Sequence, residues 1–385
     1  MLAKQLALSN PACSGPALST GSRLRLTAAN VLEALVRAGL CSRPSRAEGR
    51  WRVVDHGRRN RAFGVTDAEG KGFFLKQLRV EDRESLAMLQ REASVYWLVG
   101  HAASFSPLKP LLPAFYGFDG ESWILILEHI GRTTPAPTQG GKAWRVCLER
   151  GSRLGHGLAR LHHLEVDACS RAAGPTFPRG LPGILTAHRH GPLNRWLGPG
   201  QRALVESIRT TPSLAHGLDL LAAGWQTDAV IHGDLRWPNV LFRPAQSPGS
   251  APLLFLVDWE LADIGDAGWD LGSALHLYGC QTPDLDFDAT ASAAVWQEAR
   301  AMWRAYVRQA SMTVRQQAVV LRRAVAFAAA RWLQTALEVC GRSTSPPPAA
   351  YALLDMGRRV LAQPERIMSL VSFAAPTPEP AQGHV

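Results

Sequence analysis

Lysine is scarce in this chain of 385 residues: only five of its 42 basic side chains are Lys, and the rest are Arg. Ala, Gly and Pro are abundant alongside, the pattern of a GC-rich genome, so a formal charge of +10 does not by itself call for a nucleic-acid partner. No helix-turn-helix, zinc-finger or aromatic RNA-binding signature accompanies that charge, and no nucleic-acid partner is expected. The six cysteines, at 13, 41, 147, 169, 280 and 340, form no CxxC pair, which excludes a zinc ribbon or a disulfide framework. There is no apolar run of 18 residues and no charged-then-apolar leader, so no membrane span or secretion signal is expected and the protein reads as cytoplasmic. A Walker A loop is missing too: in the stretch GVTDAEGKG from Gly64 to Gly72 the glycines are misspaced and no Ser or Thr follows Lys71. What remains is a globular composition, 46% apolar and 19% charged.

Short apolar segments at Trp51–Val54, Ala62–Thr66 and Gly72–Leu78, separated by turn-forming residues, predict three antiparallel strands. A short helix from Thr27 precedes them. Leu86, Leu89, Ala93, Tyr96 and Trp97 recur at helical spacing over Glu84 to Val99, and Ser122 to Glu128 is a further strand. The Pro, Thr and Gly of 133–141 mark a linker. Beyond it, Ala143 to Leu164 and Ala291 to Leu337 have helical periodicity, with short strands at 230–231, 240–242 and 253–257 and an irregular stretch at 172–200. The expected order is a flexible lead over 1–25, a strand-rich unit over 26–131, a mostly helical unit over 132–373 and a disordered tail over 374–385.

Charge is unevenly spread. Residues 229–280 hold six acidic and two basic side chains. Within them lie IHGDLRWPNVLF at 231–242 and FLVDWE at 255–260, which set Asp234, Asn239 and Asp258 on loops beside apolar strands. Hard oxygen donors of this kind suit Mg²⁺, and a carboxylate not used by a metal is free to accept a hydroxyl proton.

At these residues the chain resembles the aminoglycoside phosphotransferase and choline kinase family, relatives of the protein kinases. His232-Gly233-Asp234 followed by Asn239 resembles the family's HGDxxxxN loop, and Asp258-Trp259-Glu260 its DxE/D motif. The resemblance implies an α+β, protein-kinase-like bilobal fold with a small antiparallel N-terminal lobe and a mainly helical C-terminal one. It implies Mg-ATP as phosphoryl donor, Asp234 as catalytic base or acceptor-orienting group, and Asn239 and Asp258 as Mg²⁺ ligands. Asp270 in GDAGWDL matches a structural aspartate of the family. A kinase also needs a strand Lys paired with a helix Glu, and Lys76 and Glu92 stand where both are required, with Glu84 the competing partner. The stretch from Gly57 through Asn60 to Val65 resembles a phosphate-covering turn, which makes Asn60 a nucleotide-side candidate; Arg58, Arg59 and Arg61 in it are compatible with phosphate contact or with solvation. LILEHI resembles a hinge whose backbone near Glu128 and Ile130 would meet adenine.

Other side chains have blander explanations. His232 braces its loop rather than shuttling a proton, since kinase chemistry needs positioning, metal and a carboxylate. His162-His163 and His188/His190 have no third ligand at useful spacing. Trp296, Trp303 and Trp332 are better explained by core packing than by an acceptor pocket. Asp284, Asp286 and Asp288 form an acidic run that suits a cationic acceptor or a solvated loop. The acceptor is expected to be a hydroxyl of a small molecule resembling an aminoglycoside, choline or a sugar. The bulky Arg236-Trp237-Pro238 leaves a Ser or Thr of a precursor peptide as an alternative, and a nucleotide-binding pseudokinase as another.

Overall fold

A computed structural model describes residues 24–41, 51–57, 59–68, 70, 72–80, 82–131, 133, 144–189, 197–244, 252–282 and 293–372. The lead up to 23, the tail from 373, Arg58, all of the linker but Thr133, and the acidic run with Asp284, Asp286 and Asp288 lie outside them. The chain divides into two compact units. The first takes the described residues of Met1–Thr138, Arg160–Gly180 and Trp225–Asp270; the second takes those of Gln139–Ala159, Leu181–Gly224 and Leu271–Val385.

The first unit is built on an antiparallel sheet of β1 (Arg52–Asp55), β2 (Arg61–Thr66), β3 (Gly72–Gln77), β4 (Phe115–Asp119) and β5 (Ile124–Glu128), in the order β1-β2-β3-β5-β4. The expected strands are present. β4 is additional: Gly117 interrupts its apolar pattern and its register shifts between Phe115 and Gly117, so it has no clean alternation to read. Side chains alternate across a strand, and the register sets Ala62, Lys76 and Leu125 abreast on one face with Gly64, Phe74 and Leu127 beside them. The other face presents Phe63, Val65, Leu75, Ile124 and Ile126 to Leu26, Val31, Ala34 and Leu35. Those last residues belong to or lead into α1 (Val31–Arg37), which begins later than Thr27 because residues 28–30 form a turn closed by the Asn30 side chain on the Thr27 N–H. Gln77 fastens this cover. Its Oε1 accepts from Leu26 N–H at 2.8 Å, and its Nε2 donates to the Leu24 and Ser122 carbonyls at 2.7 Å each.

Helix α2 (Arg83–His101) follows β3, capped by Asp82, whose side chain accepts from Ser85 N–H. Two small antiparallel pairs complete the unit: β6 (Ala229–Ile231) with β9 (Asp263–Gly265), and β7 (Val240–Arg243) with β8 (Leu253–Leu256). β9, three residues with an Asp and a Gly, carries too little pattern to be seen in the sequence.

The second unit is helical among its described residues. α3 (Trp144–His162) begins in it and ends in the first, and α7 (Ala267–Gly279) begins in the first and continues into it. α4 (Val166–Ala173) falls in the first unit, and α5 (Pro199–Thr210), α6 (Pro212–Ala223), α8 (Ala293–Gln309), α9 (Val314–Cys340), α10 (Pro348–Ala362) and α11 (Pro364–Ser372) in the second. Trp296, Trp303 and Trp332 are buried in its core, as packing predicted. Gly151 and Gly155 let α3 lie directly on α8, because a Cβ at either would strike the carbonyl of Glu298 or Met302. The α+β class inferred from the sequence is the class observed.

Candidate active site

The residues with chemistry gather on the Lys76 face of the sheet and on the loops around β6 to β9, all within the first unit. Lys76 ends the apolar run of β3 and is 7% exposed. Its Nζ donates to Glu92 Oε2 at 2.7 Å and to Glu260 Oε2 at 3.1 Å, and it makes a further close ion pair with Asp258 Oδ1. Burial opposes the charge, but the carboxylates of Glu92, Asp258 and Glu260 outweigh it and hold the ammonium above its ordinary pKa. Burial pushes the Glu92 carboxyl up to about 7 against the pull of Lys76. For Asp258 burial pushes the other way from Lys76, whose charge and hydrogen bond prevail and keep the carboxyl low. Glu84, the competing partner, is exposed on the first turn of α2.

The loop after β6 is built by Asp270, in the first turn of α7. Its fully buried carboxylate accepts from the N–H groups of His232 at 2.7 Å and Gly233 at 3.0 Å, and its Oδ2 lies 3.3 Å from His162 Nε2. Burial disfavours the charge, yet the His162 and His232 interactions keep its pKa below the ordinary aspartate value. Gly233 has φ +81°, and a Cβ there would collide with the Leu261 carbonyl. His232 is a brace: its ring lies 4.7 Å from that of Trp259, and its Nε2 is 3.0 Å from the Val257 carbonyl oxygen. Asp234 is thereby presented half-buried, with Asn239 Nδ2 donating to its carbonyl at 2.9 Å and its Oδ2 at 3.4 Å.

Asn239 and Asp258 bracket the β7–β8 hairpin, and Val257 N–H donates to the Asn239 carbonyl at 3.0 Å. Asp258 sits in the left-handed region at φ 68°, a conformation Asp tolerates better than most residues and one that clusters at functional sites. Glu92, Asp258 and Glu260 bring oxygens within 4.8 Å of one another around a single ammonium, an excess of negative charge with hard donors that fits Mg²⁺. Of the three, Glu92 is 2% exposed and spent on Lys76, which leaves Asp258 and Glu260 as the more open donors.

A model of the phosphotransferase enzyme family matches residues 50–306. The chain belongs to this family. It is a phosphotransferase with an alcohol group as acceptor. No curated protein matches it in sequence. Among solved structures it is similar to an ethanolamine kinase of Plasmodium vivax (11% identity, 83% of this chain and 82% of that one, TM-score 0.49). It is also similar to a macrolide 2′-phosphotransferase of Brachybacterium faecium (16%, 89% and 98%, 0.46) and to an aminoglycoside 2′-phosphotransferase in its GDP complex (14%, 87% and 96%, 0.45). Likenesses this distant say nothing about the acceptor.

The remaining candidates of this phosphotransferase lie around the sheet. Asn60 is half-buried in the β1–β2 turn, its carbonyl accepting weakly from Arg79 at 3.4 Å. Arg61 reaches the Leu78 carbonyl at 2.7 Å, while Arg59 is exposed, 3.7 Å from Glu260. The Glu128 N–H donates to Ala114 O at 2.8 Å, and the Glu128 carboxylate and Ile130 carbonyl are both engaged by Arg243. Sequence reasoning had Glu260 only as the last letter of a motif and did not have Arg243 at all. Nothing local marks an Arg at a strand end as the partner of a segment more than 110 residues earlier.

Proposed function

We propose that this phosphotransferase moves the γ-phosphoryl group of ATP to a hydroxyl of a small molecule. The observation that carries the reading is the buried Lys76 held between Glu92, Asp258 and Glu260, with Asp234 nearby in sequence to Asn239 and outside that ion cluster. Glu92 fixes the position of the ammonium, so that its charge serves the donor's phosphates once a cation draws Asp258 and Glu260 away. Asp234 aligns the acceptor hydroxyl and takes its proton as the new oxygen–phosphorus bond forms and the bond to the β-phosphate oxygen breaks, releasing ADP. Asn239 and Asp258 are the residues that would hold Mg²⁺, with Glu260 beside them, and the chemistry the ion supplies is neutralisation of charge on the phosphate oxygens. Asn60 and the backbone near Glu128 and Ile130 serve the nucleotide.

The test is transfer of label from γ-labelled ATP into a size-fractionated extract of the native host. Label is expected in the small-molecule fraction, and Asp234→Ala is expected to lower transfer roughly 10²- to 10⁴-fold. Label confined to peptides would replace the acceptor class. Transfer equal in wild type and variant would remove Asp234 from its role.

A further inference from the structure

Arg243 is the last residue of β7, and it makes three contacts that the reaction as derived does not use. Its Nη2 lies 2.5 Å from Glu128 Oε1, its Nε donates to the Ile130 carbonyl at 3.1 Å, and its guanidinium sits 4.8 Å from the centre of the Phe255 ring on the paired strand β8. Glu128 and Ile130 are the segment expected to meet the base. At the other end of the same hairpin stand Asn239, immediately before β7, and Asp258, two residues after β8, tied by the bond from Val257 to Asn239. Four strand residues at about 3.3 Å each separate the two ends by about 13 Å, the order of the distance from base to terminal phosphate in an extended nucleoside triphosphate.

We infer that Arg243 is a positioning residue: it clamps the base-binding segment to the β7–β8 hairpin and so fixes the spacing between the base and the metal-binding residues at the hairpin's other end. Arginine suits the task because its planar fork serves a carboxylate and a carbonyl at once while its face rests on an aromatic ring; an ammonium has no such geometry. Phe255 and the half-buried setting of the pair, with side chains 24% and 28% exposed, limit its screening by solvent.

The inference rests on the nucleotide reading above, and the experiment separates the two. Binding of Mg-ADP and of magnesium tripolyphosphate, which has phosphates but no base, is measured for wild type, Arg243→Ala, Arg243→Lys and Glu128→Gln. Arg243→Ala is expected to weaken Mg-ADP about 10- to 100-fold, the scale of a hydrogen bond to a charged group, with tripolyphosphate binding within twofold of wild type. Arg243→Lys is expected to restore little. Glu128→Gln, which keeps an acceptor for the fork, should fall between and keeps the test open if Arg243→Ala does not fold. Equal losses for both probes would make Arg243 merely structural, and no loss for either would also overturn the inference. A wild type that binds neither probe would instead overturn the nucleotide reading itself.

Discussion

Lys76 carries one positive charge among three carboxylates, and the order of their burial divides their work. Glu92, deepest, is the fixed partner; Asp258 and Glu260, more open, are the ones an incoming cation can draw away. Removing Glu92 leaves the ammonium to follow those two away from α2, and misplacement by about 1 Å costs about 10²-fold in rate. Glu92→Ala is therefore expected to lower kcat about 10- to 100-fold with the acceptor KM unchanged, read by steady-state kinetics. Glu84→Ala, on the exposed first turn of the same helix, is expected to behave as wild type; the reverse result would assign the pair to Glu84.

Among the elements, the loop between β6 and β7 shows how few atoms hold the candidate base in place. Asp270 satisfies two successive backbone N–H groups, and Gly233 supplies the left-handed turn that lets both point at one carboxylate. The indole of Trp269 then donates to the Gly233 carbonyl at 2.9 Å and closes the loop. Gly233→Ala brings both an unfavourable φ and a collision with Leu261, and is expected to cost about 2 kcal/mol or more of stability together with most of the activity. Denaturant unfolding and label transfer measured side by side check it; a variant of wild-type stability and turnover would mean the loop can be built another way.

For the molecule as a whole, Asp270 links acid stability to the same loop. Its folded-state pKa lies below the ordinary aspartate value. The stabilisation is therefore present above the unfolded value and is lost as pH falls through the folded one. Asp270→Asn cannot accept from both N–H groups through charged oxygens, and is expected to cost about 2 to 4 kcal/mol near neutrality. The gap in Tm between wild type and variant is expected to hold above the ordinary aspartate pKa of about 4 and to narrow as pH is lowered below it; a gap that stays constant below it would show that the carboxylate's charge contributes nothing.

The sequence by itself determined the strands that bear Lys76, the helix that bears Glu92, the HGD loop and the acid-rich stretch ending at Asp258 and Glu260, because each is encoded by a local period or a short run of residue types. Spacing alone left Glu92 and Glu84 as rivals, 16 and 8 residues from Lys76 respectively; burial of one and exposure of the other is a tertiary fact. The strand at 115–119 and the short one at 263–265 were invisible because pairing, not propensity, makes them strands. Only the tertiary structure joined Lys76 to Asp258 across 182 residues and Arg243 to Glu128 across 115. Contacts of that separation depend on how the chain closes on itself, and no local pattern of side chains carries that information.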